Sequence, residues 1–247
     1  MIRFRDKRAE GWLRSKASTL LEGLTGPWRG SVQDTISEGL QQGLNPRSVG
    51  LELAGRLNKA TGKREGGSIH LDETGRQTLR DFEASLTKPN QSYFGFELRN
   101  KRYDRMVRRA IDTGVRLPDE KINLLINRFE GRLLKAYGDL IAQTEMLAAL
   151  HRSEWLSTKE ALQNSDYPEA AMTRIWKSCG DDKVRPSHKA MDGQQVVGLK
   201  QPFVSPVTGA KMMHPGDREL GAPEDEVKGC RCGIRYDVDF LYKYREN

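Results

Sequence analysis

Five soft or titratable side chains are gathered in the last third of the chain: Cys179, His188, His214, Cys230 and Cys232, with Asp192 and Asp217 among them. Thiolates and imidazoles are the ordinary ligands of zinc, and four of these five would fill a tetrahedral shell. Against that reading, Cys230-Arg-Cys232 is tighter than the usual Cys-x-x-Cys knuckle, and no matching pair stands upstream. A second reading is hydrogen-bonded scaffolding. Asp and His beside Gly and Pro satisfy backbone groups that a turn leaves open, so His188 and Asp192 would fix a loop and Asp217 would cap a turn. The third reading is catalysis, with His188 and Asp192 or Asp217 as a base pair, or with a metal-activated water for phosphodiester cleavage. The chain has no His-Asn-His-type spacing, no nucleophile elbow and no Gly-rich phosphate loop. That weighs against an enzyme and puts scaffolding ahead of structural zinc.

These residues belong to a longer ordered series. Ala142-Gln-Thr144-Glu145 is followed by Trp176, Asp182-Lys-Val-Arg185-Pro-Ser-His188, Met191-Asp192-Gly193, His214-Pro215-Gly216-Asp217 and Cys230-Arg-Cys232. In order and spacing the series resembles the C-terminal module of the phage Mu F-like minor head protein family, the head morphogenesis proteins of tailed bacteriophages, over residues 138–240. One departure is Gln143, where the family usually has Arg, which removes a charge. The resemblance implies a minor capsid protein without enzymatic activity, oligomeric or multi-copy in the virion. Its implied partners are the portal protein, other head proteins and double-stranded DNA; its implied place is the phage head near the portal, after assembly in the host cytoplasm. Thr144, Glu145, Trp176, Arg185, His188, Asp192, Gly193, Pro215, Gly216 and Asp217 are then structural motif residues, and Glu145 is expected to anchor the module by pairing with Arg185 or Arg231. Some family members carry Cys-x-x-Cys where this chain has Arg185-Pro-Ser-His188, so the resemblance implies no obligatory cofactor and leaves a structural zinc optional. Two rival functions stay open: a DNA-binding assembly factor that is not incorporated, and a metal-dependent nuclease.

Positive charge is concentrated elsewhere. The net charge of +7 resolves into 21 basic against 13 acidic residues over 1–109, 5 against 6 over 110–150, and 15 against 15 over 151–247. An N-terminal excess of this kind favours polyanions through counterion release, with an affinity that falls steeply with salt. The densest run spans Arg99 to Arg109. On a continuous helix, Arg99, Arg102, Arg105 and Arg109 would form one stripe, joined by Lys101 and Arg108, and guanidinium groups suit phosphate oxygens because they bind them bidentately. These six residues are the candidate DNA- or portal-binding set; acidic protein neighbours would satisfy them equally well.

Helices must position most of this. Loose helical spacing covers Trp12 to Leu24 and stops at Gly26-Pro27; Val32, Ile36 and Leu40 then recur at four, and after Asn45-Pro46 so do Val49, Leu53 and Leu57, which predicts a short helical hairpin. Residues 61–67 have loop composition, a helix carries Leu79, Phe82 and Leu86, and Tyr93 to Leu98 is a docking loop or a packed turn. From Asp119 the apolar face Ile122, Leu125, Ile126, Phe129, Leu133 predicts a helix, with a break expected near Tyr137-Gly138 before a second helix through the Ala142–Glu145 motif. Beyond Ala170 the texture turns to short apolar pieces: strands are predicted at 172–176, 196–197, 203–204 and 234–238, with hairpin turns at Asp192-Gly193 and Thr208-Gly209. The fold class is therefore α+β: a basic helical region over 1–116, a helical connector over 117–150 and a small module with short antiparallel strands over 151–247. Three cysteines do not make a disulfide framework. No apolar run approaches the ~18 residues of a membrane span, and the charged N-terminus is followed by no signal-peptide core, so the expectation is a protein made and kept in a cytosol or packed into something assembled there, without membrane contact.

Overall fold

The computed structural model describes residues 28–245, so the helical spacing of Trp12 to Leu24 lies outside the described residues. The layout is α+β, with one very long helix and short antiparallel strands in small sheets. Among the described residues two compact units are present, one of residues 47–139 and one of residues 28–46 together with 140–245.

Helix α1 (Trp28–Gln41) buries Val32, Ile36 and Leu40 on the face that their spacing dictates. It closes where Gly43 enters the left-handed region at φ 66° and Leu44 N–H returns to Gly39 O. Helix α2 (Pro46–Ala54) opens with Pro at its first position and buries Val49, Gly50 and Leu53. It ends before Leu57, which lies half-exposed in strand β1 (Arg56–Leu57); β1 pairs antiparallel with β2 (Arg64–Glu65), so the Gly-rich segment read as loop contains a strand.

Helix α3 (Glu73–Thr87) is capped by Asp72, whose carboxylate accepts Gly75 N–H at 2.7 Å. It delivers Phe82 and Leu86 to the core of residues 47–139, where Phe82 stacks on Phe129 at 3.9 Å and Tyr93, Val107, Leu117, Ile122 and Leu125 complete the packing. Tyr93 to Leu98 is thus a packed turn, its first part the 3-10 turn Gln91–Gly95 with Tyr93 fully buried. The basic run is not one helix: Asn100 caps a 3-10 turn at Lys101–Tyr103, and helix α4 (Asp104–Thr113) begins only after it. Arg99 lies upstream of that turn and pairs with Asp104 at 3.1 Å, so it drops out of the expected stripe.

Helix α5 (Asp119–Gln163) runs 45 residues without a break, about 68 Å at 1.5 Å per residue. Gly138 lies inside it because α2 leaves no room for a side chain: a Cβ there would fall 2.5 Å from Gly50 O, and one on Gly50 would fall 2.8 Å from Asp139 Cα. The glycines that read as a break are the contact between two helix backbones.

Beyond α5 a 3-10 turn (Glu169–Ala171) leads into β3 (Met172–Lys177). β3 is the centre of a three-stranded antiparallel sheet ordered β4-β3-β7, with β4 (Gln195–Val197) and β7 (Gly233–Val238) on either side. Between β3 and β4 sits the short helix α6 (Pro186–Met191), so Asp192-Gly193 is not a hairpin turn. Gly193, at φ 78°, follows the helix end and donates its N–H to Trp176 O. The turn at Thr208-Gly209 does join a hairpin, β5 (Phe203–Val204) with β6 (Lys211–Met212). Helix α7 (Glu224–Val227) precedes β7, and α8 (Tyr242–Arg245) ends the described chain. Trp176, Met191, Phe203, Met212, Val227, Cys230 and Cys232 form this module's core. Among the described residues no helix is long and apolar enough to cross a membrane.

Candidate metal centre

Three of the five candidate ligands meet. His188 Nδ1 lies 3.4 Å from Cys230 Sγ and 3.4 Å from Cys232 Sγ, and the three donor atoms fall within 4.8 Å of one another. All three residues are buried, His188 to 1% exposure. Local sequence explains the convergence. Pro186 opens α6 and holds Arg185 extended, which sets His188 one turn in, on the face that meets Trp176 edge-on at 5.3 Å. Gly229, at φ 60°, turns the chain out of α7, and a spacing of two residues then puts Cys230 and Cys232 on one side. Arg231, between them, reaches outward to Asp181 at 2.6 Å.

The segment carrying the thiols is tied on several sides. Thr144 Oγ1 accepts Gly229 N–H at 2.9 Å, Gln143 Nε2 donates to Gly229 O at 2.9 Å, and His151 Nε2 contacts Cys232 O at 2.9 Å. Arg185 donates to Asp225 O and Lys228 O. The long helix and the loop before α6 thus grip the residues between α7 and β7 through hydrogen bonds to backbone groups that the turn leaves open.

Glu226 completes the arrangement. Its carboxylate lies 2.9 Å from His188 Nε2, in a close contact off the ring N–H direction, and accepts a hydrogen bond from Ser187 Oγ at 2.9 Å. A proton on Nε2 would turn the Nδ1 lone pair to the sulfurs, whereas a proton on Nδ1 makes the ring a donor to them. Between the sulfurs the charge is uneven. The Cys230 thiol donating to Cys232, followed by the His188 interaction, draws the Cys232 thiol down to about 5; the same hydrogen bond, with burial, pushes Cys230 well above the ordinary thiol range.

These donors fit a soft dication. Ligands about 2.0 to 2.3 Å from a tetrahedral zinc are separated by about 3.5 Å along each N–S edge, against the 3.4 Å observed. Two sulfurs, an imidazole Nδ1 and a carboxylate behind the ring are the donor and outer-shell chemistry of such sites. The three donors are one short of a closed structural shell.

The other candidates are placed elsewhere. Cys179 is exposed, with Sγ 3.8 Å from Asp181 Oδ1. His214 is buried but turns Nδ1 to Pro215 O at 3.1 Å, and burial pulls its imidazole pKa down. Neither joins the group. Asp192 accepts Ser178 N–H at 2.8 Å; Asp217 accepts Met213 N–H and Glu219 N–H, each at 2.8 Å. Gly216, at φ 80°, passes so close to α5 that a Cβ would meet Ala148 Cβ at 3.0 Å. Trp176 is fully buried and Glu145 is buried; of its expected partners, Arg231 is paired with Asp181 and Arg185 is bonded to backbone carbonyls. In the basic run, Lys101, Arg102, Arg105, Arg108 and Arg109 are exposed, Arg108 lying over the Phe94 ring at 4.7 Å.

No protein-family model, no curated protein and no solved structure matches the chain. The site therefore stands on its own geometry. Sequence reasoning missed Glu226, which sits in the acidic run Glu224-Asp225-Glu226 and reads as solvated surface. It also missed Arg174, fully buried at the centre of β3, where it donates to Gly198 O and Met213 O at 2.7 Å and to Gln201 O. One signal existed for it: a lone charge inside an otherwise apolar strand, Met172 to Trp176.

Proposed function

We propose that this chain is a minor head protein of a tailed bacteriophage, with a C-terminal module that serves assembly rather than catalysis. The motif series supports the reading, and one observation carries it. The residues of that series are spent on fastening the module: Thr144, Arg185, Asp192 and Asp217 bond its backbone groups, and His188 lies against Cys230, Cys232 and Glu226. Gln143, the departure from the family pattern, bonds Gly229 O and so takes part in the same fastening.

Burial supports a non-enzymatic role in this reading. Glu226 is 3% and Cys232 4% exposed, so a polymer substrate has no approach to the only imidazole held against a carboxylate and two sulfurs in this module. In this reading His188, Cys230 and Cys232 hold a structural zinc, which would supply a cross-link between α6 and the lead into β7. The exposed Lys101, Arg102, Arg105, Arg108 and Arg109 supply the contact with DNA or with an acidic portal surface.

Purified heads assembled in the presence of the chain test this reading. The expected result is the chain in intact particles at low copy, beside the portal by labelled electron microscopy. Particles that assemble normally and lack the chain overturn it in favour of an assembly factor; metal-dependent cleavage of DNA that His188→Ala abolishes overturns it in favour of a nuclease.

A further inference from the structure

Within residues 47–139 lies a cleft of about 390 Å³ lined by Leu57, Lys59, Arg64, Asn100, Arg128 and Arg132 together with Gly62 and Gly131. Four of its side chains are cationic and none is a carboxylate. The three arginines are held in place by neutral acceptors. Arg64 Nε donates to Gly131 O at 2.6 Å and its Nη1 to Gly55 O; Arg128 Nη1 donates to Tyr103 Oη at 2.7 Å; Arg132 Nη1 donates to Leu98 O and Arg99 O. A carbonyl or hydroxyl orients a guanidinium without cancelling its charge, and each arginine has five N–H donors, so every one keeps unused donors. The contrast with Arg99, bound by the Asp104 carboxylate, is direct. The acid felt by Arg64 is Asp139, which is itself bridged by Lys135.

Asn100 contributes in the same sense. Its Oδ1 accepts Arg102 N–H, so the group it has left to offer is the amide NH₂, a donor. Local sequence builds the array with little effort: Arg128 and Arg132 are one turn apart on α5, while Lys59 and Arg64 flank the turn between β1 and β2.

We propose that this cleft binds adjoining phosphate groups, as in a nucleic-acid backbone or a linear polyphosphate. Its volume lies in the range of small-ligand sites, about 300 to 1,000 Å³, and is too large for one phosphate. Its donors are preorganised and no carboxylate lines it, which suits a polyanion that releases counterions on binding. This site is distinct from the exposed basic residues of Lys101 to Arg109, and it does not depend on the head-protein reading.

The experiment uses the full chain and two probes, tripolyphosphate by calorimetry and a labelled DNA duplex of about 20 base pairs by anisotropy, in a salt series. Both probes, or either, are expected to bind at low salt. Lys59→Gln with Arg132→Gln should weaken that binding about tenfold or more per charge removed and flatten the duplex salt slope by about 2. The pair Lys200→Gln and Arg235→Gln, exposed and outside both basic sets, should leave tripolyphosphate binding unchanged. Saturable binding of tripolyphosphate assigns the cleft to free polyphosphate, and cleft-dependent binding of DNA alone assigns it to the backbone; each supports the proposal. Absence of binding by either probe overturns it, as does binding that the cleft variants leave intact. Lys59→Gln alone, at an exposed position, provides the same comparison should the double variant unfold.

Discussion

Replacing Arg174 by Met is expected to destabilise the C-terminal module by about 4 kcal/mol, and the figure follows from its surroundings. Its guanidinium is fully buried and bonded to three carbonyls, of Gly198, Gln201 and Met213, and it lies 5.3 Å from the Phe203 ring. Burial pulls its pKa below the usual arginine range, which records the desolvation the charge has suffered. A bond from a charged donor contributes about 1.5 to 3 kcal/mol, so three contribute on the order of 5 to 9. Removing the charge recovers a desolvation term of several kcal/mol, and Met refills much of the volume, but the buried Gly198 carbonyl loses its donor at about 1 kcal/mol or more and the part-buried carbonyls of Gln201 and Met213 at less. The balance of about 4 kcal/mol is at the upper end of what single substitutions do, a large share of the 5 to 15 kcal/mol that holds a typical domain. Urea unfolding followed by tryptophan fluorescence reads it, since Trp176 is buried in the same core. Arg174→Lys should recover less than half of the loss, because one ammonium cannot span three carbonyls that Nε, Nη1 and Nη2 reach separately. An Arg174→Met midpoint within about 1 kcal/mol of wild type would refute the view that this residue staples residues 198–213 to β3.

Three other outcomes are expected. Zinc or cobalt titration should give an equimolar complex with thiolate absorption bands that Cys230→Ser or His188→Ala abolishes; Glu226→Gln should weaken it about 10- to 100-fold, and acid should release the metal as the ligands protonate. A wild-type chain that takes up neither metal removes the site. Gly138→Ala should cost about 1 to 3 kcal/mol despite the better helix former, because its Cβ meets the Gly50 carbonyl at 2.5 Å; Gly30→Ala, with nothing within 4 Å in α1, should instead add about 0.5 to 1 kcal/mol. Thermal melts of the two variants shifting in the same direction contradict this. Burial, reinforced by the Asp104 carboxylate, pushes the Tyr93 phenol from 10 up to about 12, and burial raises Tyr236 as well. A raised acid favours folding fully below the unfolded pKa, so stability should fall as pH climbs from 10 to 12 and Tyr93→Phe should flatten the fall; an unchanged urea midpoint across that window rules the effect out.

Legibility in the sequence tracked how local each determinant is. Strand positions after residue 170 were readable because alternation and turn chemistry act over a few residues, and β3, β4, β5 and β7 lie where those patterns put them. The continuity of α5 was not, since a glycine weakens a helix by its own chemistry and only the approach of the Gly50 carbonyl, 88 positions earlier in the chain, explains why Gly138 is there. Arg99 reads as part of a stripe until Asn100 caps a 3-10 turn in the middle of the run and Asp104 captures the guanidinium.

The candidate ligands show the same division. Spacing alone makes Cys230 and Cys232 a pair, and that much was visible. Which histidine joins them is decided by β3: Trp176 pairs with Ile234 on one side and borders the entry to α6 on the other, so His188 arrives over the cysteines while His214 is turned to its own neighbour's carbonyl. Glu226 was hidden for a related reason. In a run of three acids only the one facing α6 is buried, and that face exists only once Arg185 has drawn the α7 carbonyls toward it. A sequence therefore exposes the donors of such a group more readily than the carboxylate behind them, because a spacing of two residues places the thiols while only the packing of α7 against α6 brings Glu226 to His188.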